Sequence, residues 1–321
     1  MRRRDIIVGL LVAAAFGRAQ AQSTATKIPR IGYLGTNIGP ASLPPIEAFR
    51  EGLHQLGYIE GQNIVVEYRW ANGQADPLAA AKAAELVRLN LDLIVAANTT
   101  YIPSLRQAGS TGPIVFCTSA DPVAEGIVAS LARPGGNMTG ISAFGPEVGV
   151  KQLEILAEAV PSARRIAILW DPTYEQHKVA MPLIEAAAQK LAVTLQLVPA
   201  RTADEFDAAF AAMDMAQAEA VVALASSLTY SHRARLGDLA RDHRLPIMGV
   251  GGGLLSYSPN VPAIFRQCAG YVDKILKGVK PSDLPVQQPT KIDLTVDLKI
   301  ANTLGITIPP SILARADEVI E

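Results

Sequence analysis

From Pro29 onward the chain repeats one rhythm: a short, continuously apolar run of strand length, then a longer stretch whose apolar residues recur with helical period. The runs are Arg30–Gly35, Asn63–Tyr68, Asp92–Ala96, Pro113–Cys117 and Met138–Ala143, then Arg164–Trp170, Val193–Val198, Ala220–Leu224 and Pro246–Val250. Runs that stay apolar instead of alternating belong to parallel strands covered on both faces. The stretches between them are amphipathic. Ile46, Phe49, Leu53 and Leu56 share one face, with Glu47, Arg50 and Glu51 elsewhere. Thr202-Ala203-Asp204-Glu205 has the spacing of a capping box, and Phe206, Phe210 and Met213 follow as a core stripe. Leu236 and Leu239 lie between Arg233, Arg235 and Arg241. Strand alternating with helix means an α/β protein with parallel sheets and right-handed crossovers.

Two sheets are expected, not one. Arg133-Pro134-Gly135-Gly136-Asn137 and the Gly140–Pro146 stretch put a Gly- and Pro-rich segment near the middle of the chain. The halves restart alike: one apolar run leads into Ser119-Ala120-Asp121-Pro122, another into Trp170-Asp171-Pro172. This predicts two doubly wound lobes split near residue 143. After Tyr257-Ser258-Pro259-Asn260 come a helix over Pro262–Leu276, a strand over Lys291–Val296 and a short helix over Leu298–Leu304. Such a tail is placed to cross back between the lobes.

The first twenty-one residues stand apart. Met1-Arg2-Arg3-Arg4 precedes an apolar run from Ile6 to Phe16, and Arg18-Ala19-Gln20-Ala21 puts small residues at −3 and −1 of a cut after Ala21. Positive, apolar, small is the order of a cleavable secretory signal. The run is about half the ~20 residues a membrane-spanning helix needs. The Arg pair admits a twin-arginine route beside the general one. No Cys follows the cut, so the expectation is a free periplasmic protein without a lipid anchor. The whole chain is formally −1, and the leader carries four Arg and one Asp, which leaves the remainder at −4. No basic run survives cleavage, which excludes nucleic acid as a partner on electrostatic grounds. Hydrophobic content of 49% with 18% charged residues describes a well-buried globular chain. Cys117 ends an apolar run and Cys268 shares a helix face with Phe265, Val272 and Ile275, so both read as buried thiols, with a bridge as the alternative.

Ligands of open α/β sheets sit outside the carboxyl ends of the strands. Those ends are small and polar here: Thr36, Asn98, Thr99, Ser119, Asp121, Asp171, Thr173 and Ser226, with Tyr257 as a wall. Tyr33, Tyr101, Trp170 and Tyr174 are further candidate walls. The set suits a zwitterion, with hydroxyls and helix N-termini for a carboxylate and Asp121 or Asp171 for an ammonium. The same residues are also ordinary helix N-caps. No enzyme motif appears: the four His lie within or beside helices, no Gly-x-Ser-x-Gly elbow is present, and Gly249, Gly251, Gly252 and Gly253 are not followed by Lys-Ser or Lys-Thr. No metal site and no cofactor are expected.

Several stretches carry a family resemblance: Pro29-Arg30-Ile31-Gly32-Tyr33-Leu34-Gly35, Glu67-Tyr68-Arg69-Trp70-Ala71, Asp121-Pro122-Val123, Ser130-Leu131-Ala132-Arg133-Pro134-Gly135-Gly136-Asn137-Met138-Thr139-Gly140, Tyr271–Gly278 and Ile306–Glu318. The chain resembles the ABC-type substrate-binding proteins related to tryptophan and tyrosine binders, with Leu131–Asn137 the most specific piece. The resemblance implies a type I periplasmic-binding fold: two doubly wound parallel-sheet lobes joined by a three-segment hinge, the third crossing near Pro285–Lys291, closing on a ligand between them. On that reading residues 28–143 with 260–284 form the N-terminal lobe, and 144–259 with 291–321 the C-terminal one. The implied partners are a small-molecule ligand and an ABC permease in the inner membrane, with the protein a monomer. A sensor module docking on a membrane receptor is the alternative, a periplasmic enzyme or a repressor core less so. The sequence departs from the family pattern at Asp171-Pro172, at the short Gly249–Gly253 segment and at Tyr257-Ser258-Pro259-Asn260, all in the second lobe.

Overall fold

The computed structural model describes residues 27–35, 43–71, 78–119, 121–143, 145–289 and 291–321. The leader and Thr36 lie outside the described residues. The first half of the chain builds β1 (Arg30–Gly35), α1 (Leu43–Gln55), β2 (Val65–Trp70), α2 (Leu78–Arg88), β3 (Leu93–Ala96), α3 (Ile102–Gln107), β4 (Ile114–Phe116) and β5 (Met138–Gly140). These strands form one sheet in the order β2-β1-β3-β4-β5, parallel throughout. The central strands β3 and β4 are buried along their whole length, as covered parallel strands require. The edge strand β2 is only half-buried and carries Glu67 and Arg69.

The second half begins with α4 (Glu147–Ala159), β6 (Arg165–Trp170), α5 (Glu175–Leu191), β7 (Thr194–Pro199), α6 (Phe206–Met215), β8 (Ala220–Ala223), α7 (Ser227–Ser231), α8 (Arg233–Asp242) and β9 (Ile247–Gly249). It ends with β10 (Leu255–Ser258), α9 (Val261–Leu276), β11 (Asp293–Asp297), α10 (Leu298–Leu304), α11 (Pro310–Leu313) and β12 (Glu318–Ile320). The second sheet has the order β12-β11-β10-β9-β8-β6-β7, with only the β10–β11 pairing antiparallel. The fold is therefore α/β with two parallel-sheet lobes. Among the described residues no helix is long and apolar enough to cross a membrane.

The strands β10 and β12 go beyond the sequence expectation, and two local readings change. Leu56 lies past the end of α1 and is 44% exposed, so it is not part of the buried face made by Ile46, Phe49 and Leu53. Thr202 makes no side-chain cap; Glu205 instead accepts from the Arg201 N–H at 2.8 Å and a 3-10 turn over Ala203–Glu205 opens α6. Phe206, Phe210 and Met213 are fully buried, as the stripe predicts.

Helix α9 follows the second sheet's β10 in sequence but packs in the first lobe. Val261, Ile264, Phe265, Cys268 and Val272 join the core of β1, β3 and β4. Cys117 and Cys268 are both free and fully buried, and the Cys268 thiol lies 3.8 Å from the Phe116 carbonyl oxygen. Burial, and then the neighbouring Cys117, push the Cys268 thiol well above its ordinary range. The chain thus passes between the sheets after β5, after β10 and before β11. The first and third passes are joined: Ser142 N–H donates to the Gln287 carbonyl at 2.8 Å, Gln287 N–H to Gly140 at 3.1 Å, and Thr139 Oγ1 to Leu284 at 2.7 Å.

The contact of α1 with α9 turns on Gly52. A Cβ there would sit 2.7 Å from the Arg266 carbonyl oxygen and 2.9 Å from the Ala269 Cβ, whereas a Cβ on Gly270 in α9 would meet open space. Gly52→Ala is expected to cost about 1–3 kcal/mol through overpacking. Gly270→Ala is expected to gain up to about 1 kcal/mol from helix propensity. Urea unfolding of the two variants checks the opposite signs.

Candidate functional site

The carboxyl ends of the two sheets face one another across a cavity of about 670 Å3, counting the part open to solvent. The first lobe contributes Tyr33 from β1, Pro45 from α1, Ala97 and Asn98 after β3, Thr118 after β4, and Val261 and Phe265 from α9. The second contributes Tyr174 before α5, Ala225, Ser226 and Ser227 after β8, Tyr230 and Ser231 from α7, and Val250 after β9.

Local hydrogen bonds hold the polar side chains in place. Asn98 Oδ1 accepts from the Thr100 N–H at 2.8 Å, capping the 3-10 turn over Thr99–Tyr101. Its Nδ2 donates to Thr118 Oγ1 at 3.1 Å, and Thr118 Oγ1 donates to the Ala97 carbonyl at 2.9 Å. Asn98 from the first lobe and Tyr174 from the second both line the cavity. The Tyr174 phenol is buried, and burial raises its pKa well above the ordinary value, with Asn98 pulling the other way. Ser226 and Thr229 cap α7 reciprocally: Ser226 Oγ accepts from the Thr229 N–H at 3.2 Å and Thr229 Oγ1 from the Ser226 N–H at 2.9 Å. Tyr33 stands in an aromatic group with Phe49, Tyr68 and Trp70, at centroid distances of 5.6 to 5.7 Å.

Behind Tyr174 a smaller recess is lined by Gly145, Val148, Gln152 and His177. His177 Nδ1 accepts from the Asp171 N–H at 2.9 Å while Nε2 lies 3.0 Å from the Ala225 carbonyl oxygen. These partners fix the neutral tautomer with the proton on Nε2. Burial lowers the His177 pKa to about 4, against smaller opposing effects from the Ala225 carbonyl and Asp171. The imidazole is therefore a neutral strut between the turns after β6 and β8. Gln152 Nε2 donates to the Tyr257 carbonyl at 3.0 Å, and among the described residues nothing donates to its buried Oε1.

Of the residues marked by the sequence, Asn98 and Ser226 line the cavity, together with the candidate walls Tyr33 and Tyr174. Thr99 is buried under the turn that Asn98 caps. Ser119 is buried and donates to Glu125 Oε1 at 3.2 Å. Asp121 Oδ1 accepts from the N–H groups of Val123 and Ala124 at 3.1 and 3.0 Å. Asp171 Oδ1 accepts from Thr173 N–H at 2.8 Å and from Thr173 Oγ1 at 2.7 Å. Both carboxylates and Thr173 are engaged in their own turns, outside the described lining. Tyr257 packs against the second lobe's core. Tyr230, Ser231 and Phe265 escape a strand-end reading because they stand on helices. Their signal is spacing: Tyr230 follows Ser226, and Phe265 follows Val261, by one helical turn.

The fold and the site agree with comparisons to known proteins. The model of the family described as ABC transporter substrate binding protein matches residues 38–320. The chain belongs to that family. It is 23% identical over 276 residues to a tyrosine-binding protein of Clostridioides difficile, covering 81% of this chain and 78% of that one. A conserved domain protein of Vibrio cholerae superposes with a TM-score of 0.83 at 29% identity, over 91% of this chain and 100% of that one. The structure of an ABC domain from Streptococcus pneumoniae in complex with L-Trp gives 0.82 at 25% identity, over 91% and 99%. The chain is thus a member of a substrate-binding family with the type I periplasmic-binding fold.

The His177 strut makes stability depend on pH. The unfolded imidazole takes a proton near pH 6.5, the folded one only near 4, so acid favours the unfolded chain. The contribution is complete above pH 6.5 and is lost as pH falls toward 4, up to about 3 kcal/mol. His232, lowered by burial and by Arg235, acts in the same direction. Melting temperatures from pH 8 to pH 4 should fall, and less steeply in His177→Gln.

Proposed function

We propose that this chain is the solute-capturing component of an ABC importer. Its N-terminal lobe is residues 28–143 with 260–284, and its C-terminal lobe 144–259 with 291–321. The lobes close about the three passes on a small polar solute, an amino acid or a similar ring-bearing molecule, and the closed form hands it to a permease in the inner membrane. The observation that carries this reading is the cavity itself: it lies where the strand ends of two lobes meet, with Asn98 on one wall and Tyr174 on the other. Its described lining holds hydroxyls, an amide and aromatic rings, groups that bind rather than transform. A relative named as tyrosine-binding and one solved in complex with L-Trp support a ring in the ligand. The residues assigned to the ligand are Asn98 and Ser226, joined by Tyr33, Thr118, Tyr174, Tyr230 and Phe265; Thr36 remains assigned from its place after β1.

The leader supports delivery to the periplasm, where the mature chain diffuses as a monomer. Intact mass of the exported protein should correspond to a chain that begins at Gln22; retention of residues 1–21 would sink this part of the reading. A thermal-shift screen over amino acids, aromatic acids and other small ring compounds tests the rest. A true ligand at 100 times its Kd should add about 2.7 kcal/mol. Small-angle scattering should show contraction on binding. A screen in which no small solute shifts melting would overturn the proposal.

A further inference from the structure

The recess behind Tyr174 has two ends of opposite character. It shares Tyr174 and Ala225 with the main cavity, so the two spaces adjoin. At one end stands Gln152, fully buried on α4. Its Nε2 is committed to the Tyr257 carbonyl at 3.0 Å and the Gly249 carbonyl at 3.4 Å, which leaves Oε1 for the recess. That oxygen is buried and, among the described residues, has no donor. A buried acceptor without a donor is unfavourable, and nearly all such groups find one. Glu147 stands on the same side: its Oε2 lies 2.6 Å from the point that a Cβ on Gly145 would occupy, at the rim of the recess. At the other end α5 opens. This helix of 17 residues begins after Tyr174, which gives it no side-chain cap. Glu175 in its first turn is paired with Lys178 at 2.8 Å. The N–H groups of such a first turn attract an anion. Between the two ends, His177 is held as the neutral tautomer by its two partners.

An acceptor and a carboxylate on one side, with first-turn N–H groups on the other, match the head of an α-amino acid, which carries its ammonium and its carboxylate on one carbon. Asp121 and Asp171, the carboxylates that the sequence marks for an ammonium, are held in their own turns. Gln152 and Glu147 stand where those two do not. An ammonium has three donors and no acceptor, so a buried amide oxygen suits it, and the carboxylate at the rim strengthens the contact. We propose that the recess is the head-group subsite of the solute. It takes the ammonium on the Gln152 and Glu147 side and the carboxylate at the N-terminus of α5, while the ring lies past Tyr174 in the main cavity with Tyr33, Tyr230 and Phe265. This rests on the solute-capture reading and narrows its substrate to an amino acid with a ring side chain.

Calorimetric titration of the purified protein with matched ligands decides the matter. L-Tryptophan and L-tyrosine are set against indole-3-propionate and 3-(4-hydroxyphenyl)propionate, which lack the ammonium, and against tryptamine and tyramine, which lack the carboxylate. At least one amino acid is expected to bind about tenfold or more tightly than both of its analogues. An analogue within tenfold of each amino acid overturns the subsite and leaves solute capture standing. In Gln152→Met and in Glu147→Gln the gap between the amino acid and its deaminated analogue is expected to narrow at least threefold. A general loss of folding weakens both ligands alike, so the gap reads the ammonium contact alone. Glu147 is exposed, so Glu147→Gln reads the same gap if Gln152→Met does not fold. A gap that narrows less than threefold in every folded variant overturns the assignment to the recess. If none of the six compounds binds while another solute shifts melting, the subsite falls and capture stands; if no solute binds at all, both fall.

Discussion

The joined passes between the lobes set the geometry on which the cleft depends. Ile141 and Ser142, leaving the first sheet, lie beside Gln287 on its way to the second, tied by backbone hydrogen bonds at 2.8 and 3.1 Å. A single connecting segment would let the lobes twist and slide. Two paired segments and a third after β10 tie the sheets together at three places. Asn98 and Tyr174 then meet in register, because each stands at the carboxyl end of a strand in a sheet whose position the passes fix. The cavity is a product of that register more than of any one side chain.

The polar turns around the cavity divide into two kinds. Those at Asp121 and Asp171 use their carboxylates on their own N–H groups, which stabilises the turn and removes the charge from play. Those at Asn98 and Ser226 also cap, yet their side chains reach the cavity. Asn98 is bonded to Thr118 as well as to its own turn, so the amide that lines the cavity has its orientation already set. Preorganisation of this kind lowers the entropic cost of binding.

Much of the fold was legible in the sequence because parallel strands covered on both faces must be apolar throughout, and the runs at Leu93–Ala96 and Ala220–Ala223 are fully buried. What escaped had physical reasons. β10 reads Leu-Ser-Tyr-Ser, a half-buried pattern after a glycine-rich loop, and it forms because β11 pairs with it antiparallel. β12 is exposed at all three residues and owes its place to the edge of β11. At the cavity, the rule of polar strand ends marks Asn98 and Ser226, which line it, but does not separate a cap that faces the cavity from one that faces away. Phe265 reads as a helix-face residue, and only the return of α9 to the first lobe brings it to the cleft.

That return also orders events in time. The core around Cys117 and Phe116 is sealed by Cys268 and its neighbours on α9, about 150 residues further along the chain. As the polypeptide is synthesised, the first lobe has its whole sheet early but lacks the helix that covers one face of it until the second lobe's strands have been made. Its apolar surface stays open for that interval, and long-range closure of this sort is slow. The two thiols stay reachable for as long, so the last helix of the first lobe is also the step that withdraws them from chemistry.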